Sequence, residues 1–281
     1  MQDSLGDRMK AFENVESDRR AVLGQPLCAR LDGRSFHTFT EGLERPYDRR
    51  LTNLMVATTK YLVEETQAVL GYTQSDEISL AWYLPEGSES QYLFDGRFQK
   101  LASILSAYAT GFFVHQLERG VITEKCGQIP LFDCRVWQVP TLWDAYETFL
   151  WREKDAIKNS ITMAASAFFS HKDLHGVNGT TKKDMLRDIG APYESMPVSF
   201  RRGSYVQRVK TTRTLTADEL MFIPEKHRPV GPIERTDIQV VQLPEIGNRG
   251  EDPLKLFFPT VFDKKKHKND GQKVYNIDPM L

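Results

Sequence analysis

A chain of 281 residues, 40% hydrophobic and 27% charged, has the size and composition of one large globular domain or two modest ones, with enough length to bury a core. No apolar run approaches the roughly 18–20 residues that span a bilayer, and the first seven residues carry acid where a secretory leader has base, so the expected compartment is the cytoplasm, with no membrane partner. Cys28, Cys126 and Cys134 are odd in number and form no C-x-x-C pair, which excludes a disulfide framework or a zinc ribbon, while 37 basic against 38 acidic side chains leave any grip on nucleic acid to local patches.

In chain order, Pro26–Leu31 reads as a strand stopped by Asp32-Gly33-Arg34. The spacing of Leu51, Leu54, Met55, Thr58, Tyr61, Leu62 and Val69 predicts a helix over 48–69, with Asp48 in its first turn. Tyr72–Leu84 alternates as a strand, Ile78, Leu80 and Trp82 on one side. A second helix is expected over 97–118, with Leu101, Ile104, Leu105, Tyr108, Phe112 and His115 inward. Leu131–Val139 reads as a strand with Cys126 and Cys134 packing at its start, 142–169 as a long helix or helix pair, and 182–189 as a short helix after Asn178-Gly179. Val198–Phe200, Tyr205–Lys210 and Ile238–Leu243 are further strands, and the tail containing Lys264–Lys268 lacks periodicity. This order predicts an α+β core with helices on one face of an antiparallel sheet.

Three features carry chemistry. Asp32 closes the first strand and Asp76-Glu77 opens a later one; if those strands are neighbours, Asp32 and Asp76 converge. Two such carboxylates stay ionised together with a divalent cation between them, and oxygen ligands without His or Cys favour Mg²⁺ or Mn²⁺. Paired ions of that kind suit phosphoryl or nucleotidyl transfer. Taken singly, each motif is equally well a plain turn or strand start. Second, the run from Asp32 through Gly33 to His37 offers backbone N–H groups for a triphosphate, although neither the P-loop nor the dinucleotide pattern is present. Third, residues 196–215 hold Arg201, Arg202, Arg208, Lys210 and Arg213 and no acid, with Phe200 and Tyr205 available to stack on bases; a solvated hairpin reads the same way. No H-E-x-x-H or G-x-S-x-G motif is present, and no aromatic sugar platform accompanies the carboxylates, which leaves little support for a zinc protease, serine hydrolase or glycosidase.

Arg30-Leu31-Asp32-Gly33-Arg34-Ser35-Phe36-His37, Gln74-Ser75-Asp76-Glu77, Phe132-Asp133-Cys134-Arg135-Val136, Trp151-Arg152 with Asp155, and Arg201-Arg202-Gly203-Ser204 occur in that order. Together they resemble the motifs of the tRNA(His) guanylyltransferase family, which adds nucleotides in the 3′-to-5′ direction. The resemblance implies a polymerase-like palm, an antiparallel sheet covered by helices, with a C-terminal β-rich extension. It implies two Mg²⁺ ions held by Asp32, Asp76 and the Gly33 carbonyl, with Glu77 as a supporting catalytic carboxylate. Nucleotide contacts would come from Asp32, Gly33, Arg34, Ser35, Phe36, His37, Ser75 and Asp76, and phosphate contacts from Arg97, Lys100, Arg135, Arg201 and Arg202. The implied partners are ATP, GTP and tRNA or a tRNA-like RNA, in a homo-oligomer, dimer or tetramer. Residues 1–140 would form the catalytic core, 141–215 a helical and basic segment completing the nucleotide and RNA site, and 216–281 the extension with its basic tail. Where the family's eukaryotic members carry H-I-N-N-L-Y-N, this chain has Ile157-Lys158-Asn159-Ser160-Ile161-Thr162-Met163, so a branch that repairs or extends 5′-truncated RNAs fits at least as well. A palm-fold cyclase or signalling-nucleotide synthase and a non-catalytic RNA-binding protein stand as alternatives, because a palm alone does not select its substrate.

Overall fold

A computed structural model describes residues 4–250 and 252–262, so the Lys264–Lys268 tail lies outside the described residues. Helix α1 (Ser4–Ser17) precedes strand β1 (Leu27–Gly33), the helical turn α2 (Phe36–Phe39) and helix α3 (Arg49–Thr66). Strands β2 (Leu70–Gln74) and β3 (Glu77–Trp82), helix α4 (Phe98–Glu118), strand β4 (Phe132–Gln138) and helix α5 (Leu142–Ser166) follow. Short helices α6 (His171–Leu174), α7 (Gly179–Asp188) and α8 (Val198–Arg202) lead to strands β5 (Ser204–Arg213) and β6 (Ile233–Val241). The six strands form one antiparallel sheet in the order β4-β1-β3-β2-β5-β6. No helix among the described residues is long and apolar enough to cross a membrane.

The α+β class holds, but helices cover both faces rather than one. Leu27, Ala29, Leu31, Ile78 and Leu80 pack under α3 and α4, while Cys28, Leu70, Tyr72 and Ala81 pack under α5. The reason lies in β3, every residue of which is buried: a strand apolar on both sides needs a layer on each. The alternating run 72–84 is two strands, because Ser75 adopts φ 50° and turns the chain into a hairpin that pairs Gln74 with Glu77. Along α4 the buried stripe is Leu101, Leu105, Ala109, Phe113 and Leu117. Phe112 lies beside it, stacked on Tyr61 at 4.5 Å, and His115 is exposed. Val198–Phe200 is helical, not a strand; Pro197 precedes it and Gly203, at φ 75°, ends the turn. Cys28 and Cys134 serve as packing residues, but Cys126 is exposed.

Candidate functional site

The register of β1 on β3 sets Asp32 opposite Glu77, and the Gly33 N–H donates to the Asp76 carbonyl at 3.1 Å. This brings Asp32 and Asp76 together at one end of the sheet. Two left-handed residues shape that end: Ser75 turns the hairpin, and Ser35, at φ 56°, starts α2. Gly33 cannot carry a side chain here, since a Cβ would run into the Phe36 ring. That ring is buried among Phe39, Phe113 and Phe132, at centroid distances of 5.1–5.7 Å, which anchors the loop to the core.

Burial raises the Asp76 carboxyl above its ordinary value, and the charge of Asp32 adds to this. Glu77 is also raised by burial, against the opposing pull of Arg152, whose Nε and Nη2 each donate to one Glu77 oxygen at 2.7 Å. Arg152 also reaches Asp155 at 3.0 Å, and Arg135 lies 3.5 Å from Asp133. Glu77 and Asp133 thus engage the guanidiniums around Asp32 and Asp76. The remaining donor set, two carboxylates and nearby carbonyl oxygens, fits a hard divalent cation. Among the described residues no group of three or more His, Cys, Asp or Glu forms a metal cage. An ion here would complete its shell with water and substrate phosphate, as Mg²⁺ commonly does.

A cavity of about 560 Å³ opens beside these carboxylates. Gly33, Ser35, Phe36, His37, Ser75 and Asp76 line it, so most of the two expected nucleotide-binding segments meet there. Asp32 and Glu77, the chain neighbours of Gly33 and Asp76, are not among its lining residues. Arg34 lines a separate, shallower hollow with residues 128–131. The expected phosphate contacts disperse. Arg97 caps α4 and Lys100 lies 5.3 Å over Phe94, toward the end of the sheet remote from Asp32. Arg135 is exposed on β4, and Arg201 Nε donates to the Met196 carbonyl at 2.9 Å.

Arg202 turns inward: its guanidinium donates to Glu153 at 2.7–2.9 Å and to the Leu243 and Pro244 carbonyls. Buried Glu153 also accepts from Tyr205 Oη and from Arg249. Tyr205 is therefore a core residue and not a base-stacking one. Phe200 does line the cavity, its ring 4.9 Å from that of Tyr47. The 43–48 loop, Ser160 and Met163 complete the walls. Sequence reasoning missed them, and only Asp48, recognisable as a helix-starting residue, left a local signal.

A family model described as tRNAHis guanylyltransferase matches residues 6–140. The tRNA(His) guanylyltransferase of Schizosaccharomyces pombe is 33% identical over 218 residues, 73% of this chain and 80% of that protein. The chain belongs to the tRNA(His) guanylyltransferase family. A bacterial tRNA(His) guanylyltransferase-like protein in complex with ATP superposes with TM-score 0.68 at 35% identity, over 73% of this chain and 87% of that one. One in complex with GTP gives 0.69 at 29% identity, over 91% of this chain and 100% of that one. The palm fold expected from the motifs is thus the fold of the family.

Proposed function

We propose that this member of the family is a Mg²⁺-dependent nucleotidyltransferase that adds guanosine, or templated nucleotides, to the 5′ end of tRNA or a tRNA-like RNA in the 3′-to-5′ direction. One observation carries the reading: Asp76 lines a nucleotide-sized cavity together with Gly33, Ser35–His37 and Ser75, and Asp32 is the chain neighbour of Gly33. Asp32, Asp76 and the Gly33 carbonyl would hold the metal. When bound, the ion supplies charge neutralisation for phosphate oxygens and a lowered pKa for an attacking hydroxyl.

The protein's own residues bind and orient. The N–H groups that open α2 have no acceptor within that turn and suit a triphosphate of ATP or GTP. Glu77, clamped by Arg152, fixes the strand beside Asp32. Arg135 and Arg201 are the phosphate contacts nearest this end, Arg97 and Lys100 would meet RNA farther out, and Arg202 serves the Glu153 network. Residues 1–140 would carry the chemistry and 141–215 complete the nucleotide and RNA site, in a cytoplasmic homo-oligomer.

The test is incorporation of labelled GTP onto 5′-monophosphorylated and 5′-triphosphorylated tRNAs, in a panel that includes 5′-truncated species. Transfer that needs Mg²⁺ and RNA is the expected result. A folded protein inactive on every RNA overturns the reading, and product formed from nucleotides alone replaces it with a cyclase or synthase.

A further inference from the structure

Cys28 packs under α5, and the alternation of β1 puts Arg30 and Asp32 on that same face. There, against Arg30 and outside the lining of the nucleotide cavity, stands Trp151 of α5, 54% exposed. The guanidinium of Arg30 lies 5.5 Å from its ring centroid and that of Arg152 4.5 Å. Both guanidiniums also approach Glu77 of the sheet, Arg30 at 3.9 Å and Arg152 at 2.7 Å. More than half of the Trp151 surface faces solvent.

Arg30 supplies a second observation. Its Nε is buried and has no hydrogen-bond partner, and the Glu77 oxygens it faces already accept from Arg152. Next to Arg30 in the sheet register is Arg135, on the edge strand β4 and exposed. An exposed aromatic ring beside Arg30, whose Nε makes no hydrogen bond, and the exposed Arg135 matches a nucleobase joined to a phosphate.

We infer that Trp151 is a stacking platform for a nucleobase at the 5′ end of the acceptor RNA, whose phosphate Arg30 and Arg135 receive; this rests on the proposed transfer reaction. The position favours RNA over a second free nucleotide. The platform lies on an open surface next to a sheet edge, where a polymer end can approach, whereas the enclosed cavity takes the free nucleotide. The two reactants would then reach the Asp32–Asp76 edge from different sides.

The test titrates a 5′-monophosphorylated acceptor-stem hairpin RNA, and separately GTP alone, into the full-length protein while tryptophan fluorescence is read. The RNA is expected to quench the wild type and the Trp143→Phe control, and quenching is expected to fall in Trp151→Phe. In steady-state transfer Trp151→Leu should raise KM for RNA on the order of tenfold, with KM for GTP unchanged, and Trp151→Phe, which keeps a smaller ring, should raise KM for RNA less than Trp151→Leu does. Undiminished quenching in Trp151→Phe, equal quenching by GTP alone, or an unchanged KM for RNA in Trp151→Leu would overturn the assignment. Quenching reads binding without turnover, so a wild type that binds RNA but transfers nothing would strike the proposed reaction and not the platform.

Discussion

Asp76 is held beside Asp32 in a partly buried position where its charged form is disfavoured, first by burial and then by its neighbour. Keeping both carboxylates ionised costs the metal-free protein free energy, and a divalent ion offsets that cost. Asp76→Asn is therefore expected to abolish transfer while melting no lower than the wild type in EDTA. Mg²⁺ should raise the wild-type Tm and leave the variant's unmoved. Since about 1 kcal/mol shifts Tm by only about 2–4 °C in a chain of this size, paired calorimetric scans with and without Mg²⁺ are the measurement; a full Mg²⁺ response in the variant would remove Asp76 from the proposed metal site. Glu77 is raised by burial too, but it has a cationic partner in Arg152. Arg152→Ala leaves it facing only Arg30 at 3.9 Å, and a buried charge stripped of its partner costs about 3–5 kcal/mol. Urea unfolding should show that loss, and Arg152→Lys should recover only part of it because an ammonium cannot make the two-point contact. Asp32 and Asp76 are legible in the sequence because each stands at a strand end. Glu153 is not, because its partners Arg202, Tyr205 and Arg249 lie 49, 52 and 96 residues farther along the chain.

The elements that carry these residues are secured by local chemistry that can be tested apart from the site. Helix α5 bears Trp151, Arg152, Glu153 and Ser160, and it starts with a reciprocal cap between Thr141 and Asp144. Thr141→Ala should lower stability by about 1 kcal/mol and leave kcat unchanged, since the cap is remote from the cavity. Gly203 differs. It takes φ 75°, and a Cβ there would lie 2.6 Å from the Thr73 carbonyl and the Tyr72 hydroxyl. Gly203→Ala must displace β5 from β2 where Thr73 pairs with Ser204, both of which line the cavity. It is expected to cost about 2 kcal/mol or more and to lower kcat as well, so chemical denaturation and transfer kinetics together separate the two variants. A helix with one apolar face is readable from periodicity, as α3 shows, and β1 from its apolar run stopped by Asp32-Gly33. The β2–β3 hairpin is hidden because Ser75 fills a left-handed turn position that glycine or asparagine usually marks. Val198 misleads because a β-branched residue after proline reads as extended.

At the scale of the whole molecule, the near-balance of charge acquires a structural meaning. The basic run 201–213 looks like a phosphate patch in the sequence, but acids and carbonyls from elsewhere meet much of it: Arg202 is held by Glu153, Arg213 by Glu219, and Arg208 donates to the Val63 carbonyl. Arg34 and Arg135 remain exposed near the carboxylate end, with Arg30 and Arg201 less so. Each phosphate contact contributes about −0.7 to −0.9 to the slope of log K against log salt. The five proposed contacts, Arg30, Arg135, Arg201, Arg97 and Lys100, predict a slope of about −3.5 to −4.5. Binding isotherms of an acceptor-stem RNA between about 50 and 200 mM salt measure it directly. A slope of about −6 or steeper would require a further cluster of cations, and Lys264–Lys268 would be the first to neutralise and remeasure, since the described residues around Asp32 and Asp76 do not supply that many.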